Sequence, residues 1–241
     1  MYIDFHTHIL PEIDDGAKDM ETALSMLGLS YECGAEAIVL TPHVASDANI
    51  GKFIKTRNEK LNKLKAAMKK NPHQYPDLIV GAEVALNGAL SERKDARSLC
   101  IEGTDLLLLE LPYTSWASWY NNEIYNLIAK HNVTPIMAHI ERYLKGPKDL
   151  DKLSTLVSFG VKFQINASSF LSFKGRRIIR ELAGEGLISA IGSDCHNLST
   201  RSPDISKAFR LFDKKFGEDF LEYICDKTAD LLDKCSVNID N

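Results

Sequence analysis

YIDFHTH, residues 2–8, is a short apolar run that ends on two histidines. An open dinucleotide-binding sheet would want a glycine-rich turn here, after its first strand. Two imidazoles stand there instead. His6 and His8 are two apart, so on a strand both side chains face the same way. On the first strand of a barrel that face can be the interior, where paired imidazoles invite a metal ion.

The pattern recurs along the chain. AIVLTPH ends on His43, LIVGAE on Glu83 and TPIMAH on His139, while LLLLEL carries Glu110. AIGSDCH closes with Asp194 and His196, two apart and expected to share a face, with Cys195 pointing away. Asp15, beside Asp14 in IDDG, completes the set, although a turn alone could account for that pair. Ligands at the carboxyl ends of successive strands are how a barrel assembles one site from distant sequence. Glu110 is the most telling, because a carboxylate closing a run of four leucines is costly unless paired or metal-bound. All of these donors are N or O, which suits Mn²⁺, Fe or Zn²⁺ and argues against a structural cysteine-type zinc site. A polynuclear centre with hydrolytic chemistry is the expectation. His73 and His131, in a loop and on a helix, read as ordinary surface residues.

Working outward, strands are expected at 2–5, 37–40, 78–80, 106–109, 134–137, 162–165 and 187–191. Helical patterns lie between them near 20–33, 52–70, 118–131, 149–159, 174–185 and 204–216, with Asp19 as an N-cap. This alternation predicts an α/β chain folded as a distorted TIM-like (β/α) barrel, one domain over 1–241, with its site at the carboxyl end of the strands. Composition agrees: 44% of residues are hydrophobic and 26% charged, with a mean hydropathy of −0.17. A net charge of −4 gives no reason to expect nucleic acid or a membrane surface as partner, and no run is long enough to span a bilayer. The first strand starts almost at Met1, leaving no room for a signal peptide. The odd set Cys33, Cys100, Cys195, Cys225 and Cys235 lacks C-x-x-C spacing and reads as reduced thiols in a cytoplasmic protein. The stretch Lys52–Lys70 holds eight Lys or Arg against one Glu, a solvated helix face or a dock for an acidic partner.

Taken together, HTHILPEIDDGA, TPH, GAE, ELP, AHIERY and SDCHN followed by RSP resemble the PHP (polymerase and histidinol phosphatase) superfamily. Within it, the match is to the manganese-dependent protein-tyrosine phosphatases of bacterial capsule and exopolysaccharide clusters, and it spans about Tyr2 to Pro203. The resemblance implies a distorted (β/α)7 barrel with three divalent ions, Mn first, with Fe or Zn as alternatives. His6, His8, Glu83 and Asp194 would hold one ion; Glu83 would be shared with a second on Glu110 and His139; Asp15, His43 and His196 would hold the third. Choosing Asp15 over Asp14 rests on the family spacing. Arg142 and Arg201 would bind phosphate, and the substrate would be a phosphotyrosine protein, the tyrosine-rich tail of a bacterial tyrosine kinase. The alternative within the superfamily is a small-molecule phosphatase acting on histidinol phosphate. Where relatives often carry Asn-Pro near the C-terminus, this chain has DKTADLL, so the contacts of that segment stay open.

Close-set ions acidify water and clamp a phosphoryl group, and two arginines can contact its oxygens as charge develops. A phenolate leaving group needs little acid help; His43 or a water on the ions could supply the proton. After Glu110, LPYTSWASWY offers Tyr113, Trp116, Trp119 and Tyr120 either as a wall for an aromatic ring or as loop packing. One rival exists: Cys195 to Arg201 satisfies C-x5-R, the spacing of cysteine-based tyrosine phosphatases. Such a loop must wrap its N–H groups round phosphate, which usually takes glycine, and HNLST has none.

Overall fold

All seven expected strands form, and two of them run on, after a break, into short extra strands. The computed structural model describes residues 2–45, 47–114 and 116–234. Its strands are β1 (Tyr2–Thr7), β2 (Ala35–Leu40), β3 (His43–Ala45), β4 (Asp77–Val80), β5 (Glu83–Ala85), β6 (Leu106–Glu110), β7 (Thr134–Met137), β8 (Lys162–Asn166) and β9 (Ile188–Gly192). Every pairing is parallel, in one sheet of order β1-β2-β4 and another of order β3-β5-β6-β7-β8-β9. β2 leads into β3 through Thr41-Pro42, and β4 into β5 through Gly81-Ala82. Pro42 has no N–H to give a ladder, so a break there is expected. Gly81 N still donates to Leu40 O (2.8 Å) and Glu83 N to Pro42 O (3.1 Å), which keeps the two broken staves side by side. Each broken pair thus counts as one stave, giving seven around the ring.

The ring is not closed by a regular ladder. Between β9 and β1 the seam consists of a lone bridge, Thr7 to Cys195, with Asp194 N donating to His6 O (2.8 Å) and His8 N to Cys195 O (3.0 Å). Beneath it the buried Asp4 carboxylate accepts from Ser193 N (2.8 Å). The distortion expected of the barrel therefore sits at two strand breaks and one seam.

Helices α1 (Met20–Glu32), α2 (Ile50–Met68), α3 (Trp119–His131), α4 (Ser154–Ser158), α5 (Phe173–Gly184), α6 (Ser206–Phe216) and α7 (Glu218–Lys234) lie outside the strands. Asp19 caps α1 as expected, accepting from Thr22 N at 2.7 Å. The helix expected over 149–159 is instead a 3-10 stretch, Pro147–Leu153, followed by one short α turn. The sequence reading did not place α7. Its Thr228 is buried, and Lys227 donates to the carbonyls of Gly186 and Ile188, fastening the DKTADLL segment to the start of β9. Among the described residues no helix is long and apolar enough to cross a membrane. Cys235 lies outside the described residues.

One apolar cluster draws Phe5, Val39, Leu106, Leu108, Ile136 and Ala190 from around the ring and is its inner layer; Leu231 and Leu232 of α7 pack against it. The larger cluster lies between strands and helices. Burying both strand faces is what a parallel sheet requires, and it explains runs such as LLLL in β6.

Candidate metal centre

The inner layer aims four of the nine donors by simple alternation. Stepping by two from inward apolar positions gives Val39–Thr41–His43, Ile79–Gly81–Glu83, Leu106–Leu108–Glu110 and Ala190–Gly192–Asp194. Each series ends on a donor at the carboxyl mouth. Two donors need something more. In β1 the register slips between Asp4 and Thr7, a β-bulge that lets His6 join Phe5 on the inside. His139 follows inward Ala138 and would face outward, but its backbone turns left-handed (φ 33°) and swings the ring into the mouth. Asp194 is also left-handed (φ 55°). Such non-glycine conformations cost on the order of 1–3 kcal/mol each and concentrate at working sites.

All nine donor residues named from the sequence converge. His6 Nε2 lies 3.0 Å from His8 Nε2, and Glu83 Oε2 is 3.1 and 3.3 Å from them. Asp194 Oδ1 completes this group at 3.7 and 3.5 Å. On one side His139 Nε2 meets Glu83 Oε1 (2.9 Å) and Glu110 Oε1 (3.6 Å). On the other, Asp15 Oδ1 lies 3.5 Å from His43 Nε2 and 3.3 Å from His196 Nε2, while His43 Nδ1 reaches Glu83 Oε2 at 2.9 Å. Donor atoms fall into four overlapping groups suited to a cation: His8, Asp15, His43, His196; His6, His8, Asp194; His6, Glu83, His139; and His43, Glu83, Glu110. The grouping of Asp15, His43 and His196 is the one expected. Glu110 groups with His43 and Glu83, and its Oε1 also lies 3.6 Å from His139 Nε2.

The chemistry of the set fits divalent ions. Buried Glu83 Oε2 and His196 Nε2 have no hydrogen-bond partner, although other donors crowd round both. Burial pushes the Glu83 carboxyl up, yet the surrounding His6, His139 and His43 hold it well below the usual range. Asp194 behaves alike, with burial outweighed by His6, Arg142, His8 and Arg201. Burial and the neighbouring Glu83 push Glu110 up, the mark of two carboxylates sharing one place.

Three residues that the sequence reading missed, or gave no role, orient these donors, and a fourth stands behind them. Asp14 Oδ2 accepts from His8 Nδ1 (2.8 Å) and from His43 N (2.9 Å), so of the IDDG pair Asp14 stands behind the imidazoles and Asp15 among them. Gln164 Oε1 contacts His6 Nδ1 (3.1 Å) and accepts from His139 N (2.8 Å); Asn166 Nδ2 donates to Asp194 Oδ2 (2.7 Å). The signal was present in FQIN, two amides at alternate positions of a buried strand. Buried Glu141 accepts from Ser169 Oγ (2.7 Å) behind Arg142. Two glycines allow close approach: a Cβ on Gly16 would sit 2.0 Å from His8 O, and one on Gly192 2.6 Å from His6 Cβ.

Arg142 Nη2 and Arg201 Nη2 reach the two oxygens of Asp194, at 2.5 and 2.6 Å, so both guanidinium groups stand at the rim of the donor cluster. Tyr113, two-thirds exposed, contacts Arg142 Nη1 through its hydroxyl (3.0 Å), and its ring lies near Tyr143 and His139. The other rings of that loop pack on one another: Trp116 and Trp119 meet buried Tyr120 edge-on. Ser115, in the same loop, lies outside the described residues.

Two sequence expectations change, and one, that Cys195 points away, holds. Asp194 and His196 lie beyond β9, not on it, because the chain turns at Asp194. Cys195 does point away, and its thiol is fully buried in the core and pushed up by burial; the C-x5-R reading fails because no phosphate can reach it. His131 is not a bare surface residue: its Nε2 meets Ser91 O at 2.9 Å and ties α3 to the 90s loop. In the basic helix Arg57 is buried and donates to Gly81 O (2.9 Å) at the strand break, while Lys60 pairs with Glu12.

Residues 2–232 match the model of the family described as capsular polysaccharide synthesis, CpsB/CapC. The chain is 27% identical over 228 residues to the tyrosine-protein phosphatase CpsB of Streptococcus agalactiae, covering 90% of this chain and 92% of the relative. It is 28% identical over 236 residues to the tyrosine-protein phosphatase YwqE of Bacillus subtilis, covering 95% and 91%. Its fold matches a crystal structure from work on YwqE and the Streptococcus pneumoniae CpsB, described as metal-dependent tyrosine phosphatases. The TM-score is 0.80 and the identity 24%, over 98% of this chain and 96% of that one.

Proposed function

Because this chain belongs to the CpsB/CapC capsular polysaccharide synthesis family, we propose that it is a metal-dependent protein-tyrosine phosphatase. The observation that carries this reading is the meeting of nine N and O donors with two guanidinium groups at one barrel mouth. The proposed ligand sets are His6, His8, Glu83 and Asp194; Glu83, Glu110 and His139; and Asp15, His43 and His196, for three divalent ions with Mn first. Ions held there would give Lewis acidity at the phosphoryl oxygens and acidify the attacking water.

The chain's own residues do the rest. Arg142 and Arg201 turn from Asp194 to the phosphate oxygens, where a planar fork suits bidentate contact. Tyr113 holds Arg142 through its hydroxyl and offers its exposed ring beside the substrate's. Asp14 and Gln164 lock the tautomers of His8 and His6 by accepting at Nδ1, leaving each Nε2 free to ligate. His43, with over a third of its side chain exposed, or a water on the ions would protonate the leaving oxygen. The substrate is a phosphotyrosine protein, a tyrosine-kinase tail in the cytoplasm; the described cysteines are free thiols, as that compartment favours.

The test compares Mn²⁺-loaded protein on a phosphotyrosine peptide and on histidinol phosphate, with metal-stripped protein as control. Preference for the peptide is expected. Preference for histidinol phosphate would replace this reading with the small-molecule one.

A further inference from the structure

Outside the metal centre, a concentration of positive charge lines a groove between α5 and α6. Its cavity of about 550 Å³ has a floor of Phe170 and Leu211 and a rim of Phe173, Arg177, Arg180 and Lys214, with Arg176 and Lys215 alongside. Glu181 is the one acid among the lining residues, so the wall carries five cations against one anion in a chain whose net charge is −4. Among the described residues Arg177, Arg180, Lys214 and Lys215 form no ion pair with any acid, and Phe173 is 79% exposed. A solvated helix face does not need an exposed phenylalanine in the middle of its cations.

The groove lies on the same helix as a separate hollow at the rim of the site. Ser172, Lys174, Gly175 and Ile178, from the first turns of α5, line a smaller cavity of about 290 Å³ together with Arg142 and Tyr113. Phe173 and Arg176, interleaved with them, line the larger groove. The two hollows therefore lie on adjacent faces of one helix, and about 10–12 Å across such a helix is spanned by three or four extended residues.

We propose that this groove binds a second phosphotyrosine side chain of the same substrate polypeptide, while the first occupies the metal centre. The proposal rests on the phosphatase reading above. An apolar, aromatic floor under a rim of guanidinium and ammonium groups matches a ring that ends in a dianion. A plain run of carboxylates would use the rim but not Phe170, Phe173 and Leu211. Recognition here raises the local concentration of the first phosphotyrosine at the metal centre, so multiply phosphorylated chains are processed ahead of singly phosphorylated ones.

The experiment uses the full Mn²⁺-loaded chain and three peptides of one length: one phosphotyrosine; two phosphotyrosines four residues apart; and one phosphotyrosine with two aspartates at the second position. The doubly phosphorylated peptide is expected to show a kcat/KM about tenfold above the singly phosphorylated one, falling with added salt. Phe173→Ala and the pair Arg180→Glu, Lys214→Glu should remove that advantage while leaving p-nitrophenyl phosphate turnover unchanged. Equal kcat/KM for the two phosphotyrosine peptides, or variants that lower all substrates alike, would overturn the proposal. An aspartate peptide as good as the doubly phosphorylated one would overturn it in favour of a general acidic dock. If no peptide is hydrolysed the phosphatase reading fails by itself. Anisotropy of the labelled doubly phosphorylated peptide on wild-type and Arg180→Glu, Lys214→Glu protein then still decides the groove, because unchanged binding would sink it.

Discussion

The Nε2 atoms of His6 and His8 face each other across 3.0 Å, with Glu83 Oε2 and Asp194 Oδ1 beside both. With each Nδ1 engaged by Gln164 or Asp14, both Nε2 lone pairs are aimed at one point. Two facing lone pairs repel unless a proton or a metal ion lies between them.

Divalent metal is therefore expected to stabilise the fold as well as permit catalysis. Saturating Mn²⁺ at a hundredfold over its Kd should add about 2.7 kcal/mol, or roughly 5–10 °C in Tm for a chain of this size. EDTA should reverse the shift and abolish phosphotyrosine hydrolysis. A melting temperature indifferent to Mn²⁺ would falsify the metal-centre reading.

Asp14 and Asp15 should separate on substitution. Asp15→Ala is expected to lose one bound ion outright, as counted by metal analysis. Asp14→Ala should keep the ion count at saturation while weakening affinity about 10–100-fold, the usual effect of removing a carboxylate behind a ligating histidine. Titration of both variants with Mn²⁺ distinguishes the roles, and identical ion loss in both would contradict them.

Cys195→Ser should leave kcat nearly unchanged, because the thiol lies in the core and away from the mouth. Burying a hydroxyl there should cost about 1–3 kcal/mol of stability, measured by urea unfolding. Loss of activity in a folded variant would revive the cysteine mechanism.

Removing a guanidinium should act on the reaction more than on metal loading. Arg142→Ala or Arg201→Ala is expected to lower kcat/KM about 10²–10³-fold with metal content retained. Lysine at either position should rescue only partly, since it cannot offer a planar fork.

Glu141 should make the fold less stable as pH rises. Burial first, against hydrogen bonds from Ser169 and Asn166, pushes its carboxyl up from 4.5 to about 7. The folded chain keeps a proton that the unfolded chain releases between those values, so stability is lost as pH climbs through that window and is flat beyond it. Glu141→Gln should therefore gain on the order of 3 kcal/mol relative to wild type between about pH 5 and pH 8. Urea unfolding of metal-free protein at the two pH values is the check, and a pH-independent difference would count against a buried, proton-holding Glu141.

Much of the site was legible because the barrel reads out a period of two. In β6, Leu106, Leu108 and Glu110 alternate inward, so a carboxylate after the leucines could be placed at the mouth from sequence alone. β8 was legible as a strand but not as part of the site, since Gln164 and Asn166 act only through hydrogen bonds to His6, His139 and Asp194. The contacts of helix α7 stayed open because its fastening is tertiary: Lys227 and Thr228 answer carbonyls of β9 that local sequence does not reveal.

The sequence by itself determined the donor inventory, the parallel α/β class and the order of the staves, because residue type and strand period are local properties. Only the tertiary structure decided how the donors meet. The bulge at Phe5–His6 and the left-handed turn at His139 re-aim two imidazoles against simple alternation, and packing across the β9–β1 seam sinks Cys195 while leaving Asp194 exposed to both arginines. Those outcomes depend on contacts between residues far apart in sequence, from His139 with Gln164 to His6 with Asp194, where hydrogen bonding and close packing override local preference.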